Sequence, residues 1–224
     1  MWYYYGAKLK LVTKYPKPNF DTIVEPFAGS AQYSLKYFEK NVTLIDKYDV
    51  VARIWKWLQL CSEGDILKLP VIPLGKSVND YTWDCEEARW LIGFNIVMGS
   101  YIPRTSPTKW TTTERPLRQS NKLKLIASSL YKIRHWNIVH GDYTEAENVK
   151  ATWFIDSTYM KGGSLYPHHS IDYNKLRDWS LSRSGEIIVC GNSSDTWLPF
   201  TPIATMAGVQ HRTVEGMFYR RVNE

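Results

Sequence analysis

Short apolar runs alternate with amphipathic stretches along the chain, and their order predicts the architecture. Two runs, "FDTIV" and "ATWFI", are short enough to be buried strands, and each stops at a carboxylate, Glu25 and Asp156. After the first, "SAQYSLKYFEK" spaces Ala31, Tyr33, Leu35 and Phe38 at helical intervals. "NVTLIDKYD" reads as a second strand closing on Asp46, and "VVARIWKWLQLC" as a strong helix. This β-α-β-α series predicts an α/β protein with a parallel sheet. Upstream, "GAKLKLVTKY" predicts a short helix that "PKPN" ends.

The middle of the chain changes character. "EGDILKLPVIPLGKS" is broken by Pro and Gly and reads as a connector, and "DYTWDCEEARWLIGFNIVMGS" as a helix turning Trp83, Ala88, Leu91 and Ile92 inward. "YIPRTSPTKWTTTERPLRQSNK" has almost no apolar periodicity, which fits either a functional loop or a solvated insertion. Helix resumes in "LKLIASSLYKIRHW", and "NIVHGDYTE" is a strand closing on Asp142. "KGGSLYPHHS" after the Asp156 strand is a loop, "DYNKLRDWSLSR" a helix, and Gly185 opens the strand "EIIVCGNS". The tail "VQHRTVEGMFYRRV" predicts a hairpin turning near Glu215-Gly216. The whole, residues 1–224, reads as a single domain with a reduced insertion at about 75–125.

Composition narrows the partners. Lys plus Arg is 28 against 22 Asp plus Glu, a formal charge of +6, with 10 Trp, 15 Tyr and 7 Phe. Basic charge with many aromatics suits a polyanion carrying stackable bases, and equally a Trp-rich core under a mildly basic surface. The three cysteines, Cys61, Cys85 and Cys190, are odd in number and widely spaced, which argues against a structural zinc site and for a reducing, cytoplasmic compartment. "MWYYYGAKLKLV" is too short and polar for a signal peptide, and no apolar run approaches the roughly 20 residues of a membrane span.

Candidate chemistry sits at the strand ends. Residues 25–31, Glu-Pro-Phe-Ala-Gly-Ser-Ala, form a small-residue loop where a strand hands over to a helix. Neither GxxxxGK[ST] nor GxGxxG is present, so a nucleoside-bearing ligand with little phosphate fits better than a nucleotide polyphosphate; an ordinary β-α turn is the alternative. Asp46 stands where doubly wound folds bind ribose hydroxyls, or where an acid caps a helix. Glu25, Asp46, Asp142 and Asp156 follow four strands and would converge on one edge of a parallel sheet. His168 and His169, just beyond, read as phosphate contacts, as a gate, or as exposed loop histidines.

In this order and spacing the residues resemble the D12, or Dam-like, class of adenine-N6 DNA methyltransferases. Tyr4-Tyr5-Gly6-Ala7-Lys8 stands where the family has K-W-A-G-G/S-K. Glu25-Pro26-Phe27-Ala28-Gly29-Ser30-Ala31 matches D-P-F-x-G-x-G, Asp46 matches the acid after the second strand, and Asp156-Ser157-Thr158-Tyr159 replaces D-P-P-Y. The resemblance covers nearly the whole chain. It departs at both prolines of the catalytic motif, at the last glycine of the cofactor loop and in the size of the recognition lobe.

The resemblance implies a Rossmann-like S-adenosylmethionine-dependent methyltransferase fold, a mostly parallel seven-stranded sheet with an antiparallel last strand. It implies S-adenosylmethionine held by Tyr4, Gly6, Lys8, Glu25, Pro26, Phe27, Gly29, Ser30, Asp46, Asp142 and Asp156, and no metal. Asp156, Ser157, Thr158 and Tyr159 would act on a flipped adenine of double-stranded DNA. Tyr101, Arg104, Lys109, Trp110, Arg115, Arg118 and Lys122 are the expected DNA-contacting residues. The expected protein is a site-specific methyltransferase, a monomer or weak dimer in the cytoplasm, similar to compact phage-borne members. Ser-Thr for Pro-Pro keeps two alternatives open: a weakened relative that binds DNA or cofactor, and a transferase acting on another base or on RNA.

Overall fold

The computed structural model describes residues 1–108, 115–160, 163–207 and 212–221. Its elements in chain order are β1 (Thr22–Glu25), α1 (Gln32–Lys36), β2 (Asn41–Asp46), α2 (Asp49–Leu60), α3 (Glu63–Leu67), α4 (Glu86–Asn95), α5 (Arg115–Ala127), β3 (Asn137–His140), β4 (Ala151–Ile155), α6 (Tyr173–Leu181), β5 (Gly185–Asn192), β6 (Thr201–Ala207) and β7 (Arg212–Arg220). The strands form one seven-stranded sheet in the order β3-β2-β1-β4-β5-β7-β6. β1, β2, β3, β4 and β5 pair in parallel, and β7 is antiparallel to both its neighbours, β5 and β6. The expected α/β architecture, mostly parallel with an antiparallel last strand, is therefore what the chain forms.

Side-chain alternation divides the core into two layers. In β4, Phe154 faces one layer, while Ala151, Trp153 and Ile155 face the other. β5 repeats the division, Ile188 and Cys190 against Ile187 and Val189. The first layer holds α2, whose Val51, Ile54, Trp55 and Leu58 are buried, and the second holds Leu176 of α6. All three cysteines are free thiols. No helix among the described residues is long and apolar enough to cross a membrane.

Three sequence expectations need correction. "GAKLKLVTKY" forms successive turns, not a helix: the amides of Leu11 and Val12 both bond the Lys8 carbonyl, and Lys14 bonds that of Leu11. In the polar stretch, α5 begins at Arg115, well before the apolar pattern resumes. A buried glutamine supports its early turns, because the Gln119 amide accepts from the Ile72 N–H at 3.0 Å and donates to the Ile72 carbonyl at 2.9 Å. Finally, Glu215 and Gly216 lie inside β7, opposite Asn192 and Gly191, and the hairpin is made by β6 and β7. Gly216 is there for close approach and not for a turn. A Cβ on it would meet Ser193 backbone at 2.9 Å.

Candidate active site

The sheet order reverses between β1 and β4, the position where open α/β sheets leave a crevice at their carboxyl ends. A cleft of about 630 Å³ opens there, in the range of small-molecule sites. The loops after β1, β2, β3 and β4 line it, together with the N-terminal segment and β7. Every residue expected at the cofactor borders this one cleft: Tyr4, Gly6 and Lys8 from the N-terminal segment, then Glu25, Pro26, Phe27, Gly29 and Ser30, then Asp46, Asp142 and Asp156. Ser157, Thr158 and Tyr159 border it as well.

The four strand-end acids are held differently. Glu25 is 2% exposed, and its carboxyl accepts the Ser34 N–H of α1 at 2.7 Å. Burial pushes its pKa up to about 8, against the pull of that hydrogen bond. Asp46 accepts the Gly29 N–H and the Tyr48 N–H, both at 2.8 Å, which ties the first loop to the second. Burial raises Asp46 to about 6, the two amides opposing. Asp142 caps a short 3-10 turn through Thr144 and pairs with Lys47 at 2.9 Å. Asp156 pairs with Lys8 at 2.7 Å; burial raises it to about 6, with Lys8 pulling the other way. Burial works to lower Lys8, but Asp156, then Tyr159 and Glu215, outweigh it and hold the ammonium well above its usual range.

The replaced prolines leave a defined loop. Ser157 Oγ donates to the Thr158 carbonyl at 3.3 Å, and the Tyr173 hydroxyl donates to that same carbonyl at 2.9 Å. Neither bond involves the Asp156 carboxylate, so the Ser157 hydroxyl does not compete for it. The Thr158 hydroxyl is buried without a hydrogen-bond partner among the described residues. On the other side of the cleft, Ala31 stands at φ 44° and ψ 49°, left-handed although it is not glycine. That geometry costs a residue with a Cβ on the order of 1 kcal/mol.

The expected DNA contacts whose side chains are described, Tyr101, Arg104, Arg118 and Lys122, meet different neighbours. Tyr101 meets Tyr5 edge-on at 5.9 Å and Tyr166 at 6.1 Å, by the cleft. Arg104 lines a second, shallow hollow with Arg89, Trp90 and Tyr48, and Tyr48 also borders the cleft. Arg118 reaches Met98 Sδ at 3.0 Å. Lys122 packs over the Tyr3 ring at 4.4 Å, half-buried, and burial lowers its pKa. Lys109 and Trp110 lie outside the described residues, as does the side chain of Arg115. His168 and His169 are exposed on the β4–α6 loop, His168 beside the Tyr48 ring at 6.0 Å.

Sequence reasoning missed Glu215. Its carboxylate, 6% exposed, accepts the hydroxyls of Tyr15 and, at 2.6 Å, of Tyr159, and lies 3.7 Å from the Lys8 ammonium. A Glu-Gly pair suggests a turn, and no local signal marks it as a strand position aimed into the cleft. Tyr166 was missed too; its hydroxyl donates to the Tyr5 carbonyl at 3.0 Å and closes the loop after β4 onto the N-terminal segment. The lining carries five acidic side chains, Glu25, Asp46, Asp142, Asp156 and Glu215, against the two ammonium groups of Lys8 and Lys47, although burial favours the neutral acid at Glu25. An acidic cleft in a chain of charge +6 suits a cationic ligand bearing polar hydroxyls. Compared with known proteins, the chain matches no family model and no curated protein.

Proposed function

We propose that the protein is an S-adenosylmethionine-dependent methyltransferase acting on the N6 amine of adenine in DNA. The observation that carries this reading is convergence. Four strand-end acids and the Asp156-Ser157-Thr158-Tyr159 loop, distant in sequence, border one cleft at the reversal point of the sheet. The sheet order with its antiparallel last strand agrees with the methyltransferase fold that the resemblance implies.

The residues fit the cofactor chemically. Asp46, at the end of β2, suits the ribose hydroxyls. Phe27, stacked on Tyr143 at 5.3 Å, and Tyr4 supply apolar walls for an adenine ring. The acidic lining that Asp46, Asp142 and Glu215 add around Asp156 suits a cation. The cofactor would supply a methyl group on a sulfonium, the carbon–sulfur electron pair passing to sulfur as the new nitrogen–carbon bond forms.

The chain's own residues act on the target amine. Its lone pair is delocalised into the ring, and accepting both N6 hydrogens turns that pair toward the methyl donor. Asp156 Oδ1 is paired with Lys8, and Oδ2 would accept one hydrogen. The Ser157 carbonyl would accept the other; that role needs no proline. Tyr159 would stack on a base turned out of the duplex, since chemistry on a base requires extrusion from the stack. As the nitrogen is methylated it gives up one proton, keeping the N–H electron pair, and Asp156 becomes the neutral acid. Phosphates would stay outside an acidic cleft, and Arg104, lining the hollow that shares Tyr48 with it, would meet them.

The test is incubation of the protein with methyl-labelled S-adenosylmethionine and unmethylated duplex DNA, followed by nucleoside mass spectrometry, with Asp156→Ala as control. N6-methyladenine from the wild type alone supports the reading. Absence of product, with cofactor binding demonstrated by calorimetry, sinks it.

A further inference from the structure

We propose that Glu215 of β7 is a positioning residue of this site, anchoring the Tyr159 ring and facing the Lys8–Asp156 pair with a second negative charge. The inference rests on the adenine-methylation reading for its catalytic consequence, while its electrostatic consequence is measurable without any substrate.

Two hydroxyl donors and an ammonium converge on Glu215 from the N-terminal segment and from the loop after β4. The Tyr15 hydroxyl comes from the turns that follow Lys8, and the Tyr159 hydroxyl, at 2.6 Å, from the loop after β4. The Lys8 ammonium lies 3.7 Å from Glu215, 2.7 Å from Asp156 and 4.9 Å from the Tyr159 ring centroid. A buried acid with one partner satisfies packing; this one ties together the aromatic ring and the cation that holds the amine-accepting carboxylate. Its place is set by backbone fit, because Gly216 lets β7 run close against Ser193 and brings Glu215 opposite Asn192 at the cleft.

The charges give Glu215 a second role. One ammonium faces two carboxylates, so the cluster has room for one proton. In the proposed reaction that proton leaves the target nitrogen, and Asp156 takes it as its own charge is neutralised. Like charge nearby makes a carboxylate a better proton acceptor, and Glu215 acts on Asp156 in this sense. The other ionisable groups facing this cluster are Glu25 from β1, Cys190 from β5 and the Tyr166 hydroxyl from the loop after β4. All of them remain when Glu215 alone is changed.

The experiment compares wild type with Glu215→Gln, which keeps an acceptor for both tyrosines but removes the charge, and Glu215→Asp, which keeps the charge but shortens the reach. Aspartate carboxylates are labelled with ¹³C, the Asp156 signal is assigned with Asp156→Asn, and its titration is followed in the free protein. The Asp156 midpoint is expected to fall by about one unit in Glu215→Gln. In Glu215→Asp it should stay near the wild-type value. An unchanged midpoint in Glu215→Gln, or equal falls in both variants, overturns the charge role. If Glu215→Gln does not fold, a Glu215→Asp midpoint lower than that of the wild type overturns it, and one near it supports it. Methyl transfer is measured alongside. An active wild type whose kcat falls about tenfold or more in Glu215→Asp, with KM for DNA little changed, supports the anchoring role, since small misplacements of reacting groups are costly. An active wild type with unchanged kcat in that variant overturns it. An inactive wild type sinks the methylation reading and leaves the titration to decide for Glu215.

Discussion

Glu25→Gln separates what the cleft costs from what it does. Glu25 is 2% exposed, its carboxyl accepts the Ser34 N–H, and burial raises its pKa from 4.5 to about 8. The folded value lies above the unfolded one, so between these values the native state binds more protons than the unfolded chain. Stability from this group is complete below about pH 4.5 and is lost as pH rises to about 8. At about 1.4 kcal/mol for each pKa unit, the loss across this window is on the order of 4 kcal/mol. Glutamine has the same shape, keeps an oxygen for the Ser34 amide and never ionises. The raised acids Asp46 and Asp156 are present in both proteins and cancel in the difference. Urea unfolding followed by tryptophan fluorescence at pH 5, 7 and 9 should show the variant close to wild type at pH 5 and increasingly more stable toward pH 9. Calorimetry should show weaker S-adenosylmethionine binding by the variant at pH 9, where wild-type Glu25 can meet the cation as a carboxylate. A stability difference that does not change between pH 5 and 9 would refute the account of Glu25 as an acid held protonated by burial.

Other outcomes follow from the same geometry. Restoring prolines with Ser157→Pro and Thr158→Pro should raise kcat for adenine methylation, up to about a hundredfold if loop rigidity limits positioning, and single-turnover rates measure it. Loss of some other transfer activity would argue instead for a retuned site. Gly185→Ala should destabilise by more than about 3 kcal/mol in urea unfolding, because the position is at φ 103° and a Cβ would come 2.1 Å from the Ala151 carbonyl, where β4 meets β5. Arg104→Ala should weaken DNA binding similarly for all sequences and reduce the slope of log affinity against log salt by about one, as read by fluorescence anisotropy.

Much of the fold was legible locally. "TIVE", "NVTLID", "ATWFI" and "GEIIVCGN" read as strands because buried parallel strands are continuous apolar runs bounded by breakers. The acids that follow β1, β2, β3 and β4 could be counted in advance, since a parallel sheet puts successive carboxyl ends on one edge. The early turns of α5 were not legible, because they are supported by Gln119 bonding a backbone 47 residues away. The hairpin turn was misread at Glu215-Gly216 because Gly marks both turns and close strand contacts.

The sequence by itself determined the five parallel strands, the four acids that follow the first four of them and the loop Asp156-Ser157-Thr158-Tyr159, since each depends on neighbours within a few residues. Only the tertiary structure decided how those groups are charged and held. Lys8 meets Asp156, and Tyr15 meets Glu215 across 200 residues of chain, because separate elements packed on the sheet bring them together. Burial, which no short window of sequence specifies, then raises Glu25, Asp46 and Asp156 above the usual carboxylate range.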